Sequence, residues 1–269
     1  MKIRVNGEEL DITRYDAYHR KRIELTLDAA RTTGARRVLE LGGDPWLMTS
    51  MLASDNDFDL AASVSAQEVT AWPDELDCVA VPYELTTPDG RTAQFTNYSA
   101  NVERNDIRIC GRVDLVLACE IIEHVVRAPH RMLLNANSWL ETGGFLLITT
   151  PNGTQFENPF HKRAKMPAYR DSVYGRHNYA FTLDGLVDIV ESCGFSIEKA
   201  EFWNPYKRGG ARGIVDFLAR VPVGIMREKF SRTLFVLARK TKDCDSAMWL
   251  PKVYAPGSMW ERVDQTPRL

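Results

Sequence analysis

The chain has 269 residues, of which 44% are hydrophobic and 26% are charged, and its formal net charge is -2. This length and composition are typical of one sizeable α/β domain with modest extensions. The balanced charge and an isoelectric point near 6.2 argue against an overall basic surface for nucleic acid, so we expect nucleic acid to be an unlikely partner.

The N-terminus and the cysteines indicate a compartment. The first ten residues, MKIRVNGEEL, lack the apolar region of a secretory signal. No apolar stretch reaches the roughly 18–20 residues that cross a bilayer. The five cysteines are dispersed and form no closely spaced pair. We therefore expect a cytoplasmic protein with reduced thiols and no transmembrane segment.

The first half of the chain predicts alternating strands and helices. Residues 2–12 predict a hairpin, because apolar and polar residues alternate around the turn Asn6-Gly7. Apolar residues spaced by three and four predict a helix over 14–33, which ends at Gly34. The pattern next predicts a buried strand at 37–41, a helix at 45–53 and a strand at 58–64. Residues 77–100, around a Pro-Asp-Gly turn, predict an inserted hairpin.

The second half continues the alternation. We predict a strand at 113–119, a helix over 120–140 that is closed by Gly143-Gly144, and a strand at 145–150. A helix at 183–193 and antiparallel edge strands at 195–203 and 233–239 follow. This order predicts an α/β fold with a doubly wound sheet. Two stretches have no clear assignment: a long polar loop at 153–182 and a tail at 241–269.

A glycine turn follows the strand at 37–41. In sheets of this kind, ligands bind beyond the carboxyl ends of the strands, and glycines let the backbone approach them closely. Glu40 is a carboxylate within an otherwise apolar run, just before Gly42 and Gly43. These three residues are candidates for a nucleotide site, although a structural role for Glu40 at the strand end is also open.

The run Val38-Leu39-Glu40-Leu41-Gly42-Gly43 resembles motif I of the class I S-adenosylmethionine-dependent methyltransferases. The resemblance implies a mostly parallel, seven-stranded, Rossmann-like sheet and S-adenosylmethionine as the cofactor. It also implies that Glu40, Gly42, Gly43 and Asp44 surround the methionine part of that cofactor. The sequence departs from the family at Asp44-Pro45-Trp46, where further glycines are usual.

Two other segments are weaker matches to cofactor motifs. The family ends its second strand with an acid that binds ribose, whereas this chain offers Ser63, Ser65 or Glu68, or no ribose contact. The run from Asn101 to Asp106 resembles an Asn-x-Glu-x-Asp segment of methyltransferases found with glycan biosynthesis. It implies that Asn101, together with Val102, faces the adenine, and an ordinary polar turn is the alternative.

Three later motifs occur in the family's order. Asp114 to His124 resembles motif IV of the ubiquinone-biosynthesis-like methyltransferases, and Gly143 to Asn152 matches the strand that follows. Gly175 to Asp184, with Thr182 as a helix N-cap, resembles a late family segment. The resemblance covers roughly residues 20–240. We therefore divide the chain into a hairpin and helix (1–34), a methyltransferase domain (35–240) and a tail (241–269).

Glu120, Glu123 and His124 are the main candidates for chemistry. On a predicted helix these positions share one face, where they can bind a divalent metal, supply a base, or stabilise the helix start. Small-RNA 2'-O-methyltransferases use a similar Glu-x-x-Glu-His set with a later histidine, and His177 lies at a comparable place. We take Glu123, His124 and His177 as catalytic and Glu120 as cofactor-binding. A divalent metal is possible but not favoured.

A mixed basic and apolar segment precedes the last strand. It begins at Tyr206-Lys-Arg and continues through Ile214, Phe217 and Ile225. It can meet an anionic or lipid-linked acceptor, or it can be a solvated loop with a packing helix.

The leading expectation is O-methylation of a small hydroxylated acceptor such as a sugar or glycan. One alternative is a metal-dependent small-RNA 2'-O-methyltransferase. The other is a degenerate methyltransferase fold that acts as a binding or scaffold protein, which the Asp44-Pro45-Trp46 turn and the absent strand-two acid favour. The sequence does not determine the oligomeric state.

Overall fold

A computed structural model describes residues 1–65, 78–103, 107–109, 111–125, 128–155, 178–205, 217–218 and 224–244. The strands in this part are β1 (Lys2–Val5), β2 (Glu8–Asp11), β3 (Arg37–Leu41), β4 (Asp59–Ser65), β5 (Val79–Thr86), β6 (Thr92–Ser99), β7 (Val113–Cys119), β8 (Leu140–Pro151), β9 (Phe195–Trp203) and β10 (Thr233–Lys240). The helices are α1 (Thr13–Arg31), α2 (Leu47–Ala53), α3 (Pro129–Trp139), α4 (Leu183–Ser192) and α5 (Gly224–Phe230). None of the helices among these residues is long and apolar enough to cross a membrane.

The strands form one sheet in the order β2-β1-β5-β6-β4-β3-β7-β8-β10-β9. The central strands β6, β4, β3, β7 and β8 are parallel, and β10 runs antiparallel between β8 and β9. The chain reverses its direction of winding at β3, because β4 lies on one side of β3 and β7 on the other. The predicted doubly wound α/β fold is confirmed, and antiparallel strands lie at the β10-β9 edge as predicted. The described sheet is mixed, because its parallel centre is flanked by antiparallel pairings on both sides.

The predicted number of seven strands is wrong, because the described sheet has ten. The three additional strands are β1, β2 and β5, which extend the sheet beyond β6. β6 is the outer parallel strand, β5 pairs with it in an antiparallel manner, and β1 then adds to β5. The stretch 77–100 is therefore a hairpin as predicted, but its second strand belongs to the parallel core rather than to an insertion.

Helices cover both faces of the sheet. Successive strand residues point to opposite faces, so Leu115 and Leu117 of β7 pack towards α1 and α2, whereas Val116 packs towards α3 and α4. Residues 1–34, which the sequence interpretation set apart, share this sheet and core. Ile3 of β1 and Ile23 of α1 belong to the same buried cluster as Leu115.

The predicted continuous helix over 120–140 is wrong. Glu120 has a φ of 57°, which is a left-handed conformation, and a single 3₁₀ turn covers Ile122–His124. Helix α3 begins only at Pro129, because a proline is accommodated in the first turn of a helix and not in its interior. The helix also ends earlier than predicted, at Trp139, because β8 starts at Leu140.

Candidate functional site

The candidate site lies at the carboxyl ends of the parallel strands, where ligands bind in doubly wound sheets. A cleft at this edge runs between α1, the turn after β3 and the end of β7. Its lining includes Tyr15, Arg22, Glu40, Gly42, Gly43 and Cys119. The predicted Glu40 and glycine positions therefore border one concave surface.

Glu40 is a buried carboxyl group at the centre of this edge. It is 3% exposed, and the hydroxyl of Thr49 in α2 donates a hydrogen bond of 2.5 Å to its Oε2. Burial raises the pKa of Glu40 to about 7, against the smaller opposing effect of the Thr49 hydrogen bond. Near neutral pH, Glu40 is therefore poised between its charged and neutral forms at the wall of the cleft.

The glycine turn after β3 is packed from within the chain. Gly42 has a φ of +79°, which favours glycine, and its amide donates to the carbonyl of Val64 at 2.8 Å. A Cβ on Gly43 would lie 2.5 Å from Ser63 Oγ and 2.9 Å from the Trp46 ring. Gly43 is thus required by close packing of Trp46 and Ser63.

The departure from the family motif at Asp44-Pro45-Trp46 has a structural explanation. Trp46 is 6% exposed, and its ring lies 5.2 Å from Tyr83 and 6.1 Å from Phe95. The indole therefore joins β5 and β6 to the turn, and the segment that carries additional glycines in the family here contributes to the core. Asp44 and Pro45 border the cleft.

The serines of β4 lie on the same face as Glu40. Ser63 is fully buried and its Oγ has no hydrogen-bond partner among the described residues, whereas Ser65 Oγ accepts a 2.9 Å hydrogen bond from Asn97. Of the two, Ser63 has the unused hydroxyl. Glu68, the third ribose candidate, lies outside the described residues, and a ribose contact stays a prediction.

The segment after β6 is fixed to the start of α3. Asn101 Oδ1 accepts a hydrogen bond from the amide of Glu103 at 2.8 Å, and Glu103 Oε1 accepts one from Ala128 at 2.7 Å. Asn135 Nδ2 donates to the carbonyl of Val102 at 2.7 Å. These bonds hold Asn101 and Val102 at the carboxyl edge, where the adenine contact remains a prediction.

Glu120 and Glu123 contact different partners. Glu120 Oε1 lies 3.3 Å from Arg22 Nη1, whereas Glu123 is 1% exposed and its Oε2 accepts a 2.9 Å hydrogen bond from Thr150. Burial, and then the charge of Glu120, raise the pKa of Glu123 well above its ordinary value. The expectation that Glu120, Glu123 and His124 share one face of an α-helix is wrong, because Glu120 is left-handed and only a short 3₁₀ turn covers Ile122–His124.

His124 is the accessible member of the set. Its side chain is 41% exposed, and its Nε2 lies 3.9 Å from Glu123 Oε1. Asn178 fixes the backbone around it: the Asn178 amide donates to the carbonyl of Glu123 at 2.7 Å, and its side chain donates to the carbonyls of His124 and Val125. His177, the other predicted base, lies outside the described residues.

Arg22 was missed by the sequence interpretation. It is 3% exposed on α1, and its Nη1 also lies 3.3 Å from the hydroxyl of Thr149. Its Nη2 lies 3.3 Å from His19 Nδ1, which must accept because a guanidinium only donates. Burial and the charge of Arg22 lower the pKa of His19 to about 4. The sequence feature that could have identified Arg22 is a basic residue next to Ile23, on the apolar face of the predicted helix.

The motifs imply two kinds of bound group, a divalent metal and S-adenosylmethionine. Within the described ranges, no three His, Cys, Asp or Glu side chains form a group that could hold a metal. For S-adenosylmethionine the fit is better. Arg22 and Glu120 offer opposite charges beside the glycine turn, and the buried Ser63 hydroxyl is unused. This chemistry suits a nucleoside that carries an amino-acid zwitterion.

Comparison with known proteins gives the same fold and a family. Among solved structures, the methyltransferase domain of bacterial CtHen1 has a TM-score of 0.53 at 15% identity, over 83% of this chain and 99% of that one. The [4+2]-cyclase SpnF has a TM-score of 0.51 at 14% identity, over 82% and 80%. The N-methyltransferase NodS from Bradyrhizobium japonicum has a TM-score of 0.50 at 11% identity, over 87% and 100%. At these identities the likeness concerns the fold alone.

The family follows from the sequence itself. No curated protein sequence is significantly similar to the chain. A family model described as a methyltransferase domain matches residues 14–200, which is more than half of the chain and includes the glycine turn and the segment from Glu120 to His124. The chain therefore belongs to the methyltransferase domain family and is a class I S-adenosylmethionine-dependent methyltransferase.

Proposed function

We propose that this methyltransferase transfers a methyl group to a hydroxyl oxygen of a small acceptor, with a sugar or glycan as the preferred class. The observation that carries the proposal is the half-exposed His124 imidazole at the same edge of the sheet as Glu40, Gly42 and Arg22. An accessible imidazole is the side chain that most often acts as a general base towards a hydroxyl group.

The binding roles follow from the geometry of the cleft. Glu40, Gly42, Gly43 and Asp44 would line the methionine end of S-adenosylmethionine, with Arg22 and Glu120 as partners for its charged groups. Ser63 is the candidate for a ribose hydroxyl, and Asn101 and Val102 are candidates for the adenine. Bound S-adenosylmethionine supplies an electrophilic methyl group on a sulfonium.

The chain's own residues would align the acceptor and remove its proton. The acceptor hydroxyl would lose its proton to His124 as its oxygen takes up the methyl group, with His177 as the second candidate base. Glu123, buried behind His124 and held by Thr150, would keep this segment in place and face the imidazole. Alignment of the two reactants can lower the barrier to such a transfer by roughly 7–11 kcal/mol.

Cofactor binding is tested separately from turnover, because a [4+2]-cyclase shares this fold. Calorimetry with S-adenosylmethionine should show one site per chain with a micromolar dissociation constant. We expect Gly43→Val to weaken this binding at least about tenfold, because a side chain there displaces Trp46 and the turn. Gly224→Val, at a position with open space around it and no positive φ, controls for the effect of glycine replacement on stability. Undetectable binding at millimolar cofactor would refute the proposal.

The base is tested with a histidine pair. His124→Ala should lower kcat about 10²- to 10⁴-fold, with the cofactor dissociation constant unchanged. Release of S-adenosylhomocysteine is measured with a panel of nucleotide sugars and glycans. His130→Ala, which removes a half-buried histidine from α3, is the matched control. Unchanged turnover in both His124→Ala and His177→Ala would eliminate these residues as the base.

A small-RNA 2'-O-methyltransferase is the second candidate, motivated by the Glu120-x-x-Glu123-His124 spacing and the likeness to the CtHen1 domain. The division of the two carboxylates between Arg22 and Thr150 weighs against it. Methylation of an RNA 3' end that is abolished by a chelator and restored by Mn²⁺ would favour this candidate over the glycan proposal.

A further inference from the structure

A series of contacts leads from the candidate site along α1 to β10. The Nη2 atom of Arg22, the residue that pairs with Glu120 at the cleft, lies 3.3 Å from His19 Nδ1. The rings of His19 and Tyr18 meet edge-on, with 4.7 Å between their centroids. Arg232, the residue before β10, donates a 3.3 Å hydrogen bond to the Tyr18 hydroxyl. Two guanidinium groups, one at the cleft and one beyond it, therefore flank a histidine and a tyrosine.

Arg232 lies at the same edge of the sheet as the cleft. Strand β10 is antiparallel to β8, and its first residue, Thr233, pairs with Pro151, the last residue of β8. Arg232 therefore adjoins the carboxyl end of the strand that also carries Thr149, a contact of Arg22. Because β3, β7, β8 and β10 are successive neighbours in the sheet, this surface continues the cleft towards β10.

Aromatic side chains accompany Arg232 at this edge. Trp203, at the end of β9, pairs with Thr233 and stacks on Phe235, with 3.9 Å between the ring centroids. Trp203 and Arg232 are half-buried, and Tyr18 is 55% exposed, so solvent reaches all three side chains. Aromatic rings combined with a few polar groups are typical of the lining of sites for small ligands.

The charges at this place favour an anionic ligand. Glu120 offsets the charge of Arg22 at the cleft, and Arg232 contributes a positive charge that is separate from this pair. Burial, and then the charge of Arg22, lower the pKa of His19 to about 4, so this imidazole is neutral near pH 7. A guanidinium carries five donors in a planar fork that matches the oxygens of a phosphate or a carboxylate. Arg232 can therefore bind such a group while it keeps its contact with Tyr18.

We propose that Tyr18, Trp203 and Arg232 form the acceptor subsite of this methyltransferase, and that its ligand is a sugar with one anionic group, a phosphate or a carboxylate. Arg232 binds the anionic group, and the two aromatic rings pack against the sugar. The inference rests on the proposed sugar or glycan acceptor and adds a charge to it. An RNA strand requires a basic groove for several phosphates, whereas this subsite combines one guanidinium with two aromatic rings.

Binding of sugars to the full chain, without cofactor, tests the subsite. The chain is titrated with glucose 1-phosphate, glucuronate and uncharged methyl glucoside, and ligand-observed NMR gives the dissociation constants. We expect at least one anionic sugar to bind at least about tenfold more tightly than methyl glucoside. The tighter of the two distinguishes a phosphate from a carboxylate as the anionic group. Arg232→Gln should weaken binding of that sugar at least about tenfold, because glutamine has no charge and no planar fork of donors.

Arg239→Gln is the matched control, because Arg239 lies at the other end of β10, where it pairs with Glu198 at 2.8 Å. It should bind the sugars like the wild type, and circular dichroism shows whether each variant is folded. Tyr18→Ala, at an exposed position, is a second variant that should weaken binding of the anionic sugar if Arg232→Gln does not fold.

Three outcomes would overturn the inference: no binding of either anionic sugar, equal binding of all three sugars, or undiminished binding of the anionic sugar by the folded variants. Binding of a single-stranded RNA in place of the anionic sugars would assign the subsite to nucleic acid and would overturn it as well. Calorimetry with S-adenosylmethionine on the same samples separates the two proposals. A chain that binds the cofactor but no anionic sugar contradicts this inference alone, and a chain that binds the sugar but no cofactor contradicts the methyl-transfer proposal.

Discussion

Individual ionisable side chains at the cleft are held in environments that change their chemistry. Burial raises the pKa of both Glu40 and Glu123, whereas it lowers the pKa of His19 beside Arg22. Neutral forms of these groups are therefore favoured near the site. The accessible His124 differs from them in being 41% exposed, which suits a residue that must exchange a proton with an acceptor.

The raised pKa of Glu40 should make the free energy of unfolding depend on pH. The pKa of Glu40 is about 7 in the folded chain, whereas a glutamate in an unfolded chain has an ordinary pKa of 4.5. The contribution to the free energy of unfolding therefore decreases as the pH rises through this window and is constant above it. Relative to Glu40→Gln, the free energy of unfolding of the wild type should fall by about 3 kcal/mol between roughly pH 5 and pH 8.

Urea unfolding of both proteins across this range measures the difference. Glu8→Gln, at an exposed position on β2, controls for the removal of a carboxylate as such. A difference between wild type and Glu40→Gln that does not vary with pH would show that Glu40 is not the titrating group.

Among the elements, the connection from α3 to β8 depends on one buried lysine. Lys240 of β10 donates hydrogen bonds to the carbonyls of Asn137 at 2.7 Å and Leu140 at 2.8 Å, and it pairs with Asp243. These carbonyls lie at the end of α3, where the helix itself provides no donors. A side chain from the far end of the chain thus completes the helix whose start borders the site.

Lys240→Met should lower the free energy of unfolding by about 2–4 kcal/mol, because two buried carbonyls lose their donor while the side-chain length is kept. Lys242→Met, at an exposed position two residues later, should change it by less than about 0.5 kcal/mol. Denaturant unfolding at neutral pH checks both, and equal effects of the two changes would contradict the assigned role of Lys240.

At the scale of the whole molecule, the N-terminal hairpin is part of the main fold. β1 pairs with β5, and Ile3 is 2% exposed in the cluster that also contains Leu27 and Phe58. The edge strands, α1 and the parallel strands should therefore unfold together. The division of the chain at residue 34 stays a prediction. The shared core favours one cooperative unit over two separate ones.

Ile3→Ala should cost about 2–4 kcal/mol of unfolding free energy, because it leaves a cavity in a core common to the hairpin and the domain. Arg4→Ala, on the opposite and exposed face of the same strand, should cost less than about 0.5 kcal/mol. Fluorescence and circular dichroism should report one coincident transition. A separate early transition for the hairpin would indicate that residues 1–34 form an independent unit.

The sequence by itself determined what depends on local pattern. The apolar runs predicted β3, β7 and β8, the glycine turn predicted the place of the site, and the ordered motifs predicted the methyltransferase family, which the family match confirms. Helix α4 and its N-cap Thr182 were also predicted. Both are confirmed, because the Thr182 side chain accepts a hydrogen bond from the amide of Gly185. Periodicity and capping act over a few residues and are therefore visible in the chain.

The tertiary structure alone decided what depends on contacts between distant segments. Glu120 adopts a left-handed conformation, and its side chain therefore has a different environment from that of Glu123. Trp46 fills the space beside Gly43, and Arg22 reaches the cleft from α1. The pairing of β1 with β5 likewise joined strands that are about eighty residues apart in the sequence. Burial and ion pairing arise only when such segments meet, because the free energy of a buried charge depends on its neighbours in space.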